Sequence, residues 1–127
     1  MPESPQTFVV LLHVLPDGSR HWDLGLDQGE SLATWQILDD PARLARREVA
    51  ALPLRRIADH RRAYLDYEGP VSGNRGSVTR VDRGVYHLLA RQPDRWRVRM
   101  AGCVLIGTFE IVSGDDSQGE GVLQRLE

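Results

Sequence analysis

The chain has 127 residues, 41% of them hydrophobic, with a formal net charge of −2 and a single cysteine, Cys103. That length buries one core without staples and fits a single domain spanning residues 1–127. No internal disulfide can form, no apolar run approaches the roughly 18 residues of a membrane helix, and the strongly basic balance of a typical nucleic-acid binder is absent, so a monomer in a reducing, cytoplasmic setting is expected.

Thr7 to Leu15 is apolar and β-branched and predicts a buried strand with His13 near its end. Pro16-Asp17-Gly18-Ser19 is turn chemistry, and His21 to Asp27 alternates as the hairpin partner. An odd-numbered loop, such as three residues with Gly18 in the left-handed region, places His13 across from Asp23. After Gln28-Gly29-Glu30-Ser31 a third strand covers Leu32 to Leu38, and Asp39-Asp40-Pro41 breaks it. Ala42 to Ala51 predicts a short helix capped by Asp39 or Asp40 and ended by Pro53. His60 is expected on a loop, or on the entry to a short strand through Tyr64 and Tyr67. Ser77 to Val81 and Gly84 to Ala90 read as two strands around Asp82-Arg83-Gly84, followed by Trp96 to Met100 and Val104 to Val112. Residues 113–127 read as a polar tail, leaving an ordered core of about 7–112. The sum is a mainly β domain, a compact antiparallel barrel with at most one or two short helices.

His13, His21 and Asp23 are all odd-numbered, so on paired strands they share one face. Two neutral imidazoles and a carboxylate converging on one point make a divalent-metal site, and a set that is neither soft nor all oxygen favours Mn²⁺, Fe²⁺ or Zn²⁺. Each histidine alone is more often a hydrogen-bonded surface residue; the His-x-Asp step beside a third histidine changes that balance. His87 stays outside the group, and Cys103 reads as core.

Two chemistries fit. With His13, His21 and Asp23 holding an ion, His60 is placed to hydrogen-bond a phosphate or protonate its leaving oxygen, and Tyr64 supplies a second donor. Alternatively, His21, Asp23 and His60 form the facial set of a non-haem iron oxygenase. That reading leaves His13 unemployed in a chain short for such a barrel.

All 16 basic residues are arginine, and seven of them (Arg43, Arg46, Arg47, Arg55, Arg56, Arg61 and Arg62) fall within one 20-residue stretch. The guanidinium fork suits phosphate recognition, although an arginine-rich solvated face from a GC-rich genome reads equally from composition.

The order His13, HWDLGLD, SLATWQIL, ADHRRAYLDYEGPVSGNRGSV, VDRGVY and LIGTFEIV resembles the 3′-phosphoesterase domain family of bacterial DNA ligase D, especially its small stand-alone relatives, from about Thr7 to Val112. The His-aromatic-Asp step and the Asp-His…Tyr…Glu-Gly segment are its most specific parts. The resemblance implies a β-barrel enzyme that uses a divalent ion, typically manganese, to remove a terminal ribonucleoside and then the 3′-phosphate from nucleic-acid 3′ ends. That work prepares ends for a repair polymerase or ligase in end joining. It implies His13, His21 and Asp23 as metal ligands and His60 and Tyr64 as phosphate-contacting residues.

Two departures stand out. The family carries an arginine two residues after the metal-binding aspartate, where this chain has Gly25, and the His13 to His21 step is two residues longer than the family's. Arg75, Arg55 or Arg56 is the expected replacement for that guanidinium. A barrel without it could instead be a catalytically impaired module that binds DNA ends or a repair partner. Trp22 and Trp35 read as core residues rather than base-stacking platforms, Trp22 because it alternates with His21 and Asp23.

Overall fold

β1 (Gln6–Val14), β2 (Arg20–Asp27) and β3 (Leu32–Ile37) pair antiparallel in sequence order within a computed structural model that describes residues 5–113 and 120–126. In the first turn Leu15 N donates to Ser19 O at 2.8 Å and Gly18 N to Leu15 O at 2.9 Å. The loop is therefore Pro16-Asp17-Gly18, with Gly18 at φ +89° and the Asp17 carboxylate accepting from Ser19 N. That closure puts His13 opposite His21, not Asp23 as expected. The difference is two residues, so side-chain parity, and with it the shared face, is preserved.

After β3 the chain enters α1 (Pro41–Ala45), where Asp40 caps Ala42 N at 2.9 Å and proline occupies the first turn. The expected continuation to Ala51 does not occur. Arg47 takes φ +60°, which ends the helix and turns the backbone. The next element, β4 (Ala51–His60), is one long strand where a proline stop and an irregular segment were expected. Its Leu52 and Leu54 point inward, and Pro53 still accepts from Leu38 N through its carbonyl at 2.9 Å. His60 thus ends a strand, and a 3₁₀ turn at Arg62–Leu65 follows it.

The remaining strands are β5 (Gly69–Pro70), β6 (Ser77–Gln92), β7 (Arg95–Ala101), β8 (Ile106–Val112) and β9 (Glu120–Arg125). β6 merges the two strands expected around Asp82. The register against β1 jumps from Val10↔Asp82 to Leu11↔Arg80, leaving Val81 as a bulge residue. Asp82 is buried and its carboxylate accepts from Cys103 N and Leu105 N, so it braces the β7–β8 connection instead of making a turn. Cys103 is exposed, not core.

β9 corrects the expected tail: Glu120–Arg125 pairs with both β4 and β8, and Leu123 is fully buried. Residues 114–119 and 127 of that segment lie outside the described residues. The order β1-β2-β3-β4-β9-β8-β7-β6-β5, with β1 also paired to β6, closes the sheet into a barrel-like antiparallel ring.

Two apolar clusters follow from strand alternation. Phe8, Val10, Leu24, Leu26, Trp35, Trp96, Phe109 and Leu123 fill the ring, with Trp35 and Trp96 edge to face at 5.1 Å and Trp22 packed against them. On the opposite face of β1 to β3, Val9, Leu11, Leu32, Leu65, Val71 and Val78 form a smaller cluster with Tyr64 packed on it. This outer cluster holds the segment after His60 against the sheet and roofs a cleft.

Candidate metal centre

His13, His21 and Asp23 share the outer face, beside the smaller cluster. One ligand atom from each lies within 4.8 Å of the others. Asp23 Oδ2 stands 3.6 Å from His13 Nδ1, and Asp23 Oδ1 stands 3.1 Å from His21 Nε2. Asp23 is only 4% exposed, and its Oδ1 is a buried oxygen without a hydrogen-bond partner among the described residues. A desolvated carboxylate oxygen left in that state costs about 1–3 kcal/mol or more, and a cation at this point would satisfy it.

His13 is oriented for such a role by its other nitrogen. Nε2 lies 2.6 Å from the carbonyl oxygen of Arg75. A carbonyl only accepts, so Nε2 carries the proton, and in the neutral ring Nδ1 is left with its lone pair facing Asp23. The Gln36 side chain, on the β3 residue opposite Asp23, lies 3.5 Å from His21 Nε2.

The electrostatics tie the acid to its two rings. Burial pushes the Asp23 carboxyl up, but the facing imidazoles of His13 and His21 outweigh it and hold the group below the ordinary carboxylate range. The Asp23 carboxylate in turn raises His13, against the opposing effect of burial. Burial lowers His60, only partly opposed by Asp23, so the neutral ring is favoured.

The triad opens onto a cleft of about 600 Å³ that is also lined by Gln36, Asp59, His60, Arg61, Tyr64, Ser72 and Arg75. His60 and Tyr64 face each other with ring centroids 5.6 Å apart. The structure therefore brings together His13, His21, Asp23, His60, Tyr64 and Arg75. It does not bring in Arg55, which pairs with Glu120 at 3.3 Å, or Arg56, which lies over Trp35 at 4.6 Å and faces Asp59 at 3.5 Å. Arg75 folds back so that Nε donates to Ser72 O at 2.7 Å.

Sequence reasoning missed Arg61 and Gln36. Arg61 was hidden in the arginine-rich stretch, although its neighbours are drawn off by acids: Arg62, for example, donates to both oxygens of Asp27. Among the described residues neither Arg61 nor Arg75 has a carboxylate partner, so both leave positive charge at the cleft. Gln36 was legible only through the β2–β3 register.

Gly25, where the resemblance implies an arginine, is closely packed. A side chain starting from Gly25 would meet Leu32 Cδ1 at 3.2 Å and Val9 Cγ1 at 3.5 Å. Leu32, 1% exposed, fills that space as part of the outer cluster.

The family model of the DNA Ligase D 3′-phosphoesterase domain matches residues 13–113, most of the chain. The chain belongs to this family, and membership implies a phosphoesterase of DNA repair. Among curated proteins none matches the chain at a significant level. No helix among the described residues is long and apolar enough to cross a membrane.

Proposed function

We propose that this protein is a divalent-metal phosphoesterase that trims nucleic-acid 3′ ends, removing a 3′-phosphate or a 3′-ribonucleoside so that a ligase or polymerase of end repair can use the end. The observation that carries the reading is the buried Asp23 carboxylate between two imidazoles, its Oδ1 3.1 Å from His21 Nε2 without a hydrogen bond among the described residues, at the floor of a cleft rimmed by two arginines that have no carboxylate partner among those residues. His13, His21 and Asp23 would hold the ion, with manganese the metal we assign and zinc the alternative; their mixed nitrogen and oxygen donors suit either. Held there, an ion would supply Lewis-acid polarisation of a phosphate oxygen and offset the negative charge that builds on the phosphoryl and leaving oxygens.

The chain's own groups supply the rest. His60 and Tyr64 offer donors to the phosphate and the leaving oxygen. Arg75 and Arg61 take the place of the family arginine at Gly25, approaching the phosphate from the roof rather than from the sheet. A non-haem iron oxygenase built on His21, Asp23 and His60 would leave His13, which faces the Asp23 carboxylate, without a task.

One observation favours a second reading. The space behind Gly25 is filled by Leu32 and Val9, as in a domain that binds ends without processing them. Phosphate release from a 3′-phosphorylated oligonucleotide with Mn²⁺ separates the two. Wild type is expected to turn over, Asp23→Ala and His21→Ala to lose turnover, and His60→Ala to lose a factor on the order of 10²–10⁴. End binding without turnover in any divalent metal supports the binding module. Oxygen consumption with Fe²⁺ and a 2-oxo acid, without phosphate release, overturns both.

A further inference from the structure

A second groove, about 190 Å³ in volume, adjoins the metal cleft and shares Arg61, Tyr64 and Ser72 with it. Its other walls include Tyr67 and Pro70. Tyr64 and Tyr67 meet edge to face at 5.7 Å, and the Arg61 guanidinium lies 6.0 Å from the Tyr64 ring. Tyr67 is 37% exposed, so the ring is open to solvent.

That ring is nevertheless held in place. Its hydroxyl donates to the carbonyl of Pro70, and Gly69, at φ +135°, leaves the space it needs, since a Cβ there would meet the Tyr67 hydroxyl oxygen at 3.2 Å. An exposed aromatic fixed at both ends of its side chain loses little freedom when a flat ligand packs on it. Every nucleobase has such a face, and an adjacent guanidinium adds cation–π attraction.

We propose that this groove is the subsite for the terminal nucleoside of the substrate strand, its base stacking on Tyr67 while the attached 3′-phosphate reaches across Arg61 into the metal cleft. Arg61, at the junction of the two cavities and without an acidic partner among the described residues, contacts both parts. The proposal rests on the phosphoesterase reading and adds to it a basis for distinguishing nucleic-acid ends from small phosphate esters.

The test uses a single-stranded oligonucleotide that carries 2-aminopurine in its 3′-phosphorylated terminal nucleoside, bound to the full chain with Mn²⁺ present. Stacking on an aromatic ring quenches this fluorophore. Wild type and Tyr67→Phe are expected to bind and quench; Tyr67→Ala is expected to bind roughly ten-fold more weakly and to quench little. Its turnover of p-nitrophenyl phosphate, which has no base, should fall far less than its affinity for the oligonucleotide. If Tyr67→Ala binds and quenches like wild type, the groove is not the base subsite. If Tyr67→Ala loses p-nitrophenyl phosphate turnover to the same degree, the residue is structural and the proposal falls. Wild type that neither binds the oligonucleotide nor releases phosphate from it overturns the phosphoesterase reading and this proposal together.

Discussion

His13 donates from Nε2 to the backbone carbonyl of Arg75, 2.6 Å away and 62 positions later in the chain. One residue thus serves the site twice, its carbonyl fixing a ring of the triad and its side chain bringing charge to the cleft. The two roles separate by mutation. Arg75→Ala keeps the carbonyl and is expected to weaken binding of a 3′-phosphorylated oligonucleotide while leaving Mn²⁺ affinity unchanged. Gly76→Ala has the opposite emphasis: φ is +84° and a Cβ would lie 1.9 Å from Val14 O, so the loop must shift and the His13 anchor with it. Calorimetric titration with Mn²⁺ should show weaker binding in Gly76→Ala; equal affinities in both variants would remove the anchoring role.

Restoring the family arginine at position 25 should fail on its own. Gly25→Arg drives a side chain into Leu32 and Val9, and overpacking of this kind costs about 1–3 kcal/mol. Gly25→Arg combined with Leu32→Ala opens a path for the guanidinium and should exceed the single variant in phosphate release, at a further cost in folding stability because the buried Leu32 side chain is lost. Urea denaturation of the two variants checks the stability costs, and turnover checks the gain in phosphate release.

The Asp27–Arg62 pair gives a defined pH signature. Arg62 donates to both oxygens of Asp27 at 2.8 and 2.9 Å, and it holds that carboxyl below its ordinary value of 3.8. The unfolded chain therefore binds the Asp27 proton at a higher pH than the folded one, and stability rises with pH across that window. The contribution is fully present above about pH 4 and is lost as pH falls through the folded value. Arg62→Ala should melt below wild type at pH 6 and converge with it near pH 2. A constant gap in melting temperature would show that the pair is not its source.

Leu123 tests the ring. It is fully buried and sits on the strand that joins β4 to β8, so Leu123→Ala should lose about 2–5 kcal/mol. A loss below 1 kcal/mol would mean that β9 is not part of the cooperative core.

Much of the candidate site was legible in sequence because its three candidate metal ligands lie on one hairpin. Parity alone placed His13, His21 and Asp23 on one face, and turn chemistry identified Pro16-Asp17-Gly18. The exact partner was not legible, because a shift of two residues preserves every face. β4 was obscured by Pro53 and its arginines, since proline within a strand ordinarily demotes it to an edge. The two strands expected around Asp82 looked separate because a buried aspartate that braces another loop has the same local sequence as a turn. β9 offered only Val122 and Leu123 as apolar signal, too short for a period. The tryptophans read as core in the sequence, and Trp35 lies there, but the exposed ring beside the cleft, Tyr67, was not singled out. Its distinguishing feature is the Gly69-Pro70 clamp, which only the folded chain displays.

The candidate metal ligands are encoded within eleven consecutive positions, His13 to Asp23, whereas most of the other side chains that line the cleft come from the strap between His60 and Gly76. A lineage could rewrite the strap's side chains to accept a different strand terminus while the backbone carbonyl at position 75 keeps its hold on His13.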